Sequence, residues 1–227
     1  MKRAFPILAV VTTILLAYAF YEAIWVAPME RTMGDVQRIF YYHVPSAWTA
    51  FLLFFVNLIA SVIYLVRRNP RADAVALVSA EVGVVFCTIV LVTGPIWARP
   101  VWGIWWTWDI RLTTTLVLWL IYVSYLVLRR FSDSSQTPKL AAVLAIFGAL
   151  DVPLVYFSIW FFRTQHPQPV IGGGGSIDPR MLHVLLINWL AFSCLALVVC
   201  WARYRLELLQ REVEEVESLE SLRGVRQ

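Results

Sequence analysis

Six apolar stretches constrain this chain more than anything else in it. They lie at about 5–26, 47–66, 74–95, 109–128, 140–162 and 181–201. Each is close to the ~20 residues with which a helix, rising ~1.5 Å per residue, crosses ~30 Å of bilayer hydrocarbon. In lipid the backbone polar groups must find partners within the segment, so these stretches are predicted to be helices. Composition agrees: 60% of the 227 residues are hydrophobic and 15% are charged, against ~45–50% and ~25% in ordinary globular chains. The expected fold is an all-α integral membrane protein. One domain of six transmembrane helices occupies 1–202, and a charged tail occupies 203–227. The start, Met1-Lys2-Arg3 followed by an apolar run with Ala17-Tyr18-Ala19, resembles a cleavable leader. The run continues to Val26, which favours a retained first helix.

Charge sets the expected orientation. Of the nineteen lysines and arginines, six (Arg31, Arg38, Arg99, Arg111, Arg163 and Arg180) fall in the connections on one side. The other thirteen, among them Arg67, Arg68, Arg129, Arg130 and Arg203, fall on the opposite side. The positive-inside rule makes the richer side cytoplasmic. Both termini are then cytoplasmic, and the loops 27–46, 96–108 and 163–180 face outward. The fourth span is too short if it starts at Thr113. Asp109 is a good helix N-cap and restores the length, which places the neighbouring tryptophans at the outer interface. In the tail, Leu206, Leu209, Val213 and Val216 have a heptad-like spacing. That spacing suits either a short amphipathic helix or a solvated tail.

The residues able to carry chemistry gather on the outer side. Trp97, Trp102, Trp105, Trp106 and Trp108 put five tryptophans in twelve residues. Flat indole faces suit a large planar apolar ligand, and they equally suit anchoring at the membrane interface. Gly103 permits close backbone approach. Arg99 and Arg111 can pair with carboxylates on such a ligand or with lipid phosphates. His43 follows Met33, Val36, Ile39 and Phe40, whose spacing predicts an interfacial amphipathic helix. Pro45 behind it suits the opening of the second span. His183 opens the sixth span, and His166 lies in the preceding loop beside the glycine run 172–175, which reads as a hinge. Each histidine alone fits a hydrogen-bonding role as well as a ligand role. Together, His43 and His183 at equal depth on one face, flanking an aromatic shelf, make a sensible haem site, because haem iron takes axial ligands from both sides of its ring. Cys87, Cys194 and Cys200 lie in apolar runs without a CxxC pair, so thiol or zinc chemistry is not expected. Glu81 and Asp151 lie inside spans and each needs a partner or a cavity.

The segment 102–119, WGIWWTWDIRLTTTLVLW, resembles the tryptophan-rich motif of haem-handling membrane proteins. The segment 38–48, RIFYYHVPSAW, is similar to the first histidine loop of the cytochrome c maturation protein C (CcmC) family. The resemblance covers about 5–205. It implies a binding and transfer protein, not a catalyst, in a bacterial cell inner membrane. It implies haem b as the transported ligand, presented at the outer face by Trp102, Gly103, Trp105, Trp106, Trp108, Asp109 and Arg111. His43 and His183 are the implied axial ligands, His183 being placed by position and His166 remaining the open alternative. The stretch 158–166 departs from the family pattern, with Phe where Trp is expected. The implied partners are a membrane-anchored haem chaperone, ABC-type transporter subunits, a small membrane subunit and the lipid bilayer, with no nucleic acid. The competing reading is the haem-binding subunit of a cytochrome b-like oxidoreductase. That class binds haem mid-span, where this sequence has no histidine. A solute permease lacks support because no inverted repeat is visible.

Overall fold

The computed structural model describes residues 3–132, 134–162, 164–169 and 177–224. The glycine run 172–175 and the cations Lys2, Arg163 and Arg226 lie outside the described residues, as does the side chain of Arg223.

The architecture is a helical bundle, and among the described residues it has no strand. Helix α1 (Ala4–Tyr21) runs into a π turn at Glu22–Val26. A 3-10 turn at Asp35–Ile39 leads directly into α2 (Phe40–Arg67). Then come α3 (Pro70–Trp102), α4 (Ile110–Phe131), α5 (Thr137–Ala149), α6 (Asp151–Phe161) and α7 (Pro179–Gly224). With α5 and α6 counted together as Thr137–Phe161, six helical segments among the described residues are long and apolar enough to cross a membrane. This is a multi-pass membrane protein.

Local chemistry sets the boundaries. Arg68 ends α2 in the left-handed region at φ 51°, and its N–H donates to the Tyr64 carbonyl. Asn69 then caps α3, its Oδ1 accepting from the Arg71 N–H at 2.9 Å, with Pro70 opening the helix. Two residues therefore turn α2 back against α3 as a tight antiparallel pair. Gly103 closes α3 at φ 78°, a conformation that favours glycine. Asp109 caps α4 as expected, accepting from the Leu112 N–H at 2.9 Å. Between α5 and α6 the chain breaks at Leu150. Pro153 has no N–H to offer the Ala149 carbonyl, which accounts for the break.

Three expectations need correction. The span predicted at 74–95 extends from Pro70 to Trp102, so Trp97, Arg99 and Trp102 are helical and the connection shrinks to 103–109. The helix carries through Pro95 and Pro100, each losing one backbone bond without ending it. The separate amphipathic helix predicted before the second span is instead a 3-10 turn continuous with α2. His43 consequently sits in the first turn of α2, and Pro45 lies inside that helix. The segment after 202 is continuous with the sixth span in a 46-residue helix, without a separate tail element.

The core lies between α2, α3, α4 and α5. Phe54 stacks on Tyr122 with ring centroids 3.9 Å apart. Gly83 faces this stack: a Cβ there would stand 2.7 Å from Phe54 Cε1. Gly83→Val is therefore expected to drive Phe54 off Tyr122 and to cost about 1–3 kcal/mol. The measurement is the unfolding midpoint in detergent, and an unchanged midpoint would contradict the contact. Asn57 Nδ2 donates to the Ala76 carbonyl at 2.7 Å, pinning α2 to α3. Glu81, expected to need a partner, is paired with Arg203 at 2.8 Å. At the end of the bundle away from His43, buried Asp73 binds Arg129 and Arg211, joining α3, α4 and α7.

Candidate haem site at one end of the bundle

The start of α2, the end of α3, the connection 103–109, the start of α4 and the loop after α6 meet at one end of the bundle. They line a cavity that is open on one side. His43, Trp97, Trp102, Trp106, Arg111 and His166 line it, above an apolar floor that includes Phe51, Cys87 and Val155.

His43 is buried, with its Nδ1 2.8 Å from Thr93 Oγ1. The Thr93 hydroxyl donates its one hydrogen to the Ile89 carbonyl at 2.6 Å. It can then only accept from His43, so the hydrogen-bond network assigns the proton to Nδ1 and leaves Nε2 as a free lone pair. Gly94 of α3 lies beside the ring: a Cβ there would meet His43 Cε1 at 3.4 Å, about van der Waals contact. Trp97 stands edge-on to the imidazole, with centroids 5.9 Å apart.

His166 is arranged in the same way. Its Nδ1 is 2.9 Å from the Pro167 carbonyl, which can only accept. Nδ1 thus carries the proton and Nε2 is the unprotonated nitrogen. Burial, then the nearby Arg111 charge, pushes this imidazole down to about 4. It is neutral at physiological pH, the form that ligates iron. In metal-binding histidines the second ring nitrogen is commonly tied down by an outer partner, and both histidines of this cavity show that pattern.

The donors around the cavity also fit a ring carrying carboxylates. Arg111 Nη1, Trp97 Nε1 and Trp106 Nε1 are buried and, among the described residues, have no hydrogen-bond partner. Leaving buried donors unpaired costs about 1–3 kcal/mol each. A planar apolar ligand with acidic side arms would satisfy them, and haem is such a molecule.

The structure separates the residues read from the sequence into two groups. His43, Trp102, Trp106 and Arg111 come together in the cavity. Trp105 and Trp108 are 58% and 77% exposed and do not line it, although Trp108 packs edge-on against Trp106. Gly103 serves as the helix cap, and its carbonyl accepts from Arg99 Nη1. Asp109 holds the start of α4. His183 is not brought to this cavity. It lines a second one with Glu22, Val26, Pro28 and Arg180, between α1 and α7. The histidine that shares the cavity with His43 is His166. Sequence reading did not single out Thr93, whose signal is one helical turn of a neighbouring span.

Residues 1–218 match the family model described as CcmC, heme exporter protein C. The chain belongs to this family. It is 38% identical over 224 residues to a heme exporter protein C of Bradyrhizobium diazoefficiens, covering 97% of this chain and 85% of that one. It is 33% identical over 212 residues to a heme exporter protein C of Haemophilus influenzae, covering 92% and 86%. It is also 32% identical over 213 residues to a putative cytochrome c biosynthesis ccmC-like mitochondrial protein of Arabidopsis thaliana, covering 93% and 81%. The tryptophan segment and both cavity histidines fall within the part that the CcmC model matches.

Proposed function

We propose that this CcmC-family chain binds haem as cargo between His43 and His166 and hands it to a membrane-anchored haem chaperone for cytochrome c assembly. The observation that carries the proposal is the single cavity shared by these two histidines, each with Nδ1–H engaged and Nε2 unprotonated. The relatives' names supply the ligand and the pathway: heme exporter protein C and cytochrome c biosynthesis. By the positive-inside count, the cavity opens at the outer face of a bacterial inner membrane and both termini are cytoplasmic. ABC-type transporter subunits and a small membrane subunit are the proposed neighbours.

In this reading Trp102 and Trp106 cover the ring, and the Arg111 guanidinium receives a propionate. His43, on a helix, is the lasting ligand. His166, on a loop, is the one that lets go, and its departure opens one face of the iron for the chaperone. Loading needs neutral imidazoles, and hand-over breaks both axial bonds, that to His166 first and that to His43 as the haem leaves, with no change in the oxidation state of the iron.

Two results test this. Haem-loaded protein in nanodiscs, mixed with the chaperone, should yield chaperone-bound haem while the donor's haem band falls in step. A donor that keeps its haem, or that loses it equally fast without the chaperone, contradicts transfer. Arg111→Leu should leave the axial ligation spectrum unchanged and weaken haem retention by roughly 10–100-fold, the equivalent of one charged hydrogen bond of about 1.5–3 kcal/mol. Wild-type retention in that variant would remove Arg111 from the site.

A further inference from the structure

We propose that Asp109 and Thr164 form a latch that holds His166 over the cavity, making Asp109 a positioning residue of the tryptophan segment. This inference rests on the reading of His166 as a haem ligand.

The geometry is a relay of three residues. Asp109 uses its two oxygens differently. Oδ1 accepts from the Leu112 N–H at 2.9 Å and starts α4. Oδ2 points the other way and accepts from Thr164 Oγ1 at 2.8 Å and from the Gln165 N–H at 3.3 Å. Thr164 Oγ1 in turn accepts from the His166 backbone N–H at 3.1 Å. One carboxylate thus joins the first turn of α4 to the loop 55 residues further on, at the two positions just before His166. The loop follows α6, which ends at Phe161, and nothing in a helix end by itself directs position 166 back toward α2. The Asp109 contacts provide that direction. They also explain why Asp109 does not line the cavity although it sits in the aromatic segment. Its task is to carry a ligand there.

Two substitutions separate the latch from the cap. Asparagine caps helices about as well as aspartate. Asp109→Asn therefore retains the bond to Leu112 and offers N–H in place of the second acceptor. Thr164→Val is nearly isosteric, leaves α4 untouched, and removes both bonds made by the hydroxyl. Thr164→Ser restores the hydroxyl. Each variant would be purified in nanodiscs and loaded with ferric haem. Its spin state would be read by electron paramagnetic resonance, and its haem dissociation rate by transfer to apomyoglobin.

In Asp109→Asn and Thr164→Val, the low-spin signal of two imidazoles is expected to give way to that of one, with dissociation roughly 10–100-fold faster, the usual effect of losing an outer partner of a ligand. Thr164→Ser is expected to match wild type. If both variants keep the two-imidazole signal and the wild-type rate while His166→Ala loses them, the latch is wrong and the haem site stands. If His166→Ala itself changes nothing, the ligand reading beneath the latch is wrong as well.

Discussion

His43→Ala is expected to purify without stably held haem, whereas the wild type retains it. The expectation follows from three observations about one ring. Its Nδ1–H is committed to Thr93, which leaves Nε2 unprotonated, the residue lines the cavity, and the helix that carries it is fixed against α3 by the tight turn at Arg68 and Asn69. Disturbing an outer partner of a metal-bound histidine costs ~10–100-fold in affinity. Losing the ligand itself is expected to cost about 100-fold or more, enough for haem to be lost during purification. Thr93→Val gives the intermediate case, with the imidazole present and its tautomer no longer held, so haem should bind and leave faster. Imidazole added to His43→Ala should restore part of the haem band by filling the space left behind, which separates a missing ligand from a misfolded protein. Full haem in His43→Ala, measured by absorbance per mole of protein, would contradict the site.

The second large effect lies at the other end of the molecule. Asp73→Ala is expected to destabilise the bundle by about 3–5 kcal/mol. Asp73 is buried, and it receives Arg129 at 2.5 and 2.9 Å and Arg211 at 2.8 Å. Arg211 is held further by Glu207 at 2.8 Å and by the Pro70 carbonyl at 3.1 Å. Removing the carboxylate leaves Arg129, itself largely buried, without a counter-charge. The cost is mainly that of a stranded charge and not the loss of a favourable bond. For a chain of this size the unfolding midpoint should fall by roughly 10 °C, and any folded fraction should still bind haem. A midpoint within a degree or two of wild type would show that α3, α4 and α7 do not depend on this network.

The sequence reveals the six spans because a membrane fold advertises itself locally: each helix must be apolar along its own length. The cap at Asp109 was legible for the same reason, since the fourth span was too short without it. What local pattern does not carry is the meeting of distant segments. Asp73, Arg129 and Arg211 are separated by 56 and 138 positions, and no spacing rule links them. The third span is predicted to end at 95, yet the helix continues through Pro95 and Pro100 to Trp102, each proline removing only one backbone bond. The choice between His166 and His183 is of the same kind. In the sequence, His183 is placed by its position at the opening of the sixth span, at equal depth with His43, and His166 in the preceding loop remains the open alternative. Only the fold-back of the loop through Thr164 and Asp109 sets His166 against α2, while the approach of α1 to α7 places His183 in a different cavity.

Electron paramagnetic resonance of ferric haem on His166→Ala and His183→Ala, beside the wild type, tests the central claim most directly. The expected result is that His166→Ala loses the second axial imidazole and its low-spin signal while His183→Ala stays like the wild type. The reverse pattern, with His183→Ala losing the signal and His166→Ala keeping it, would contradict the site described here.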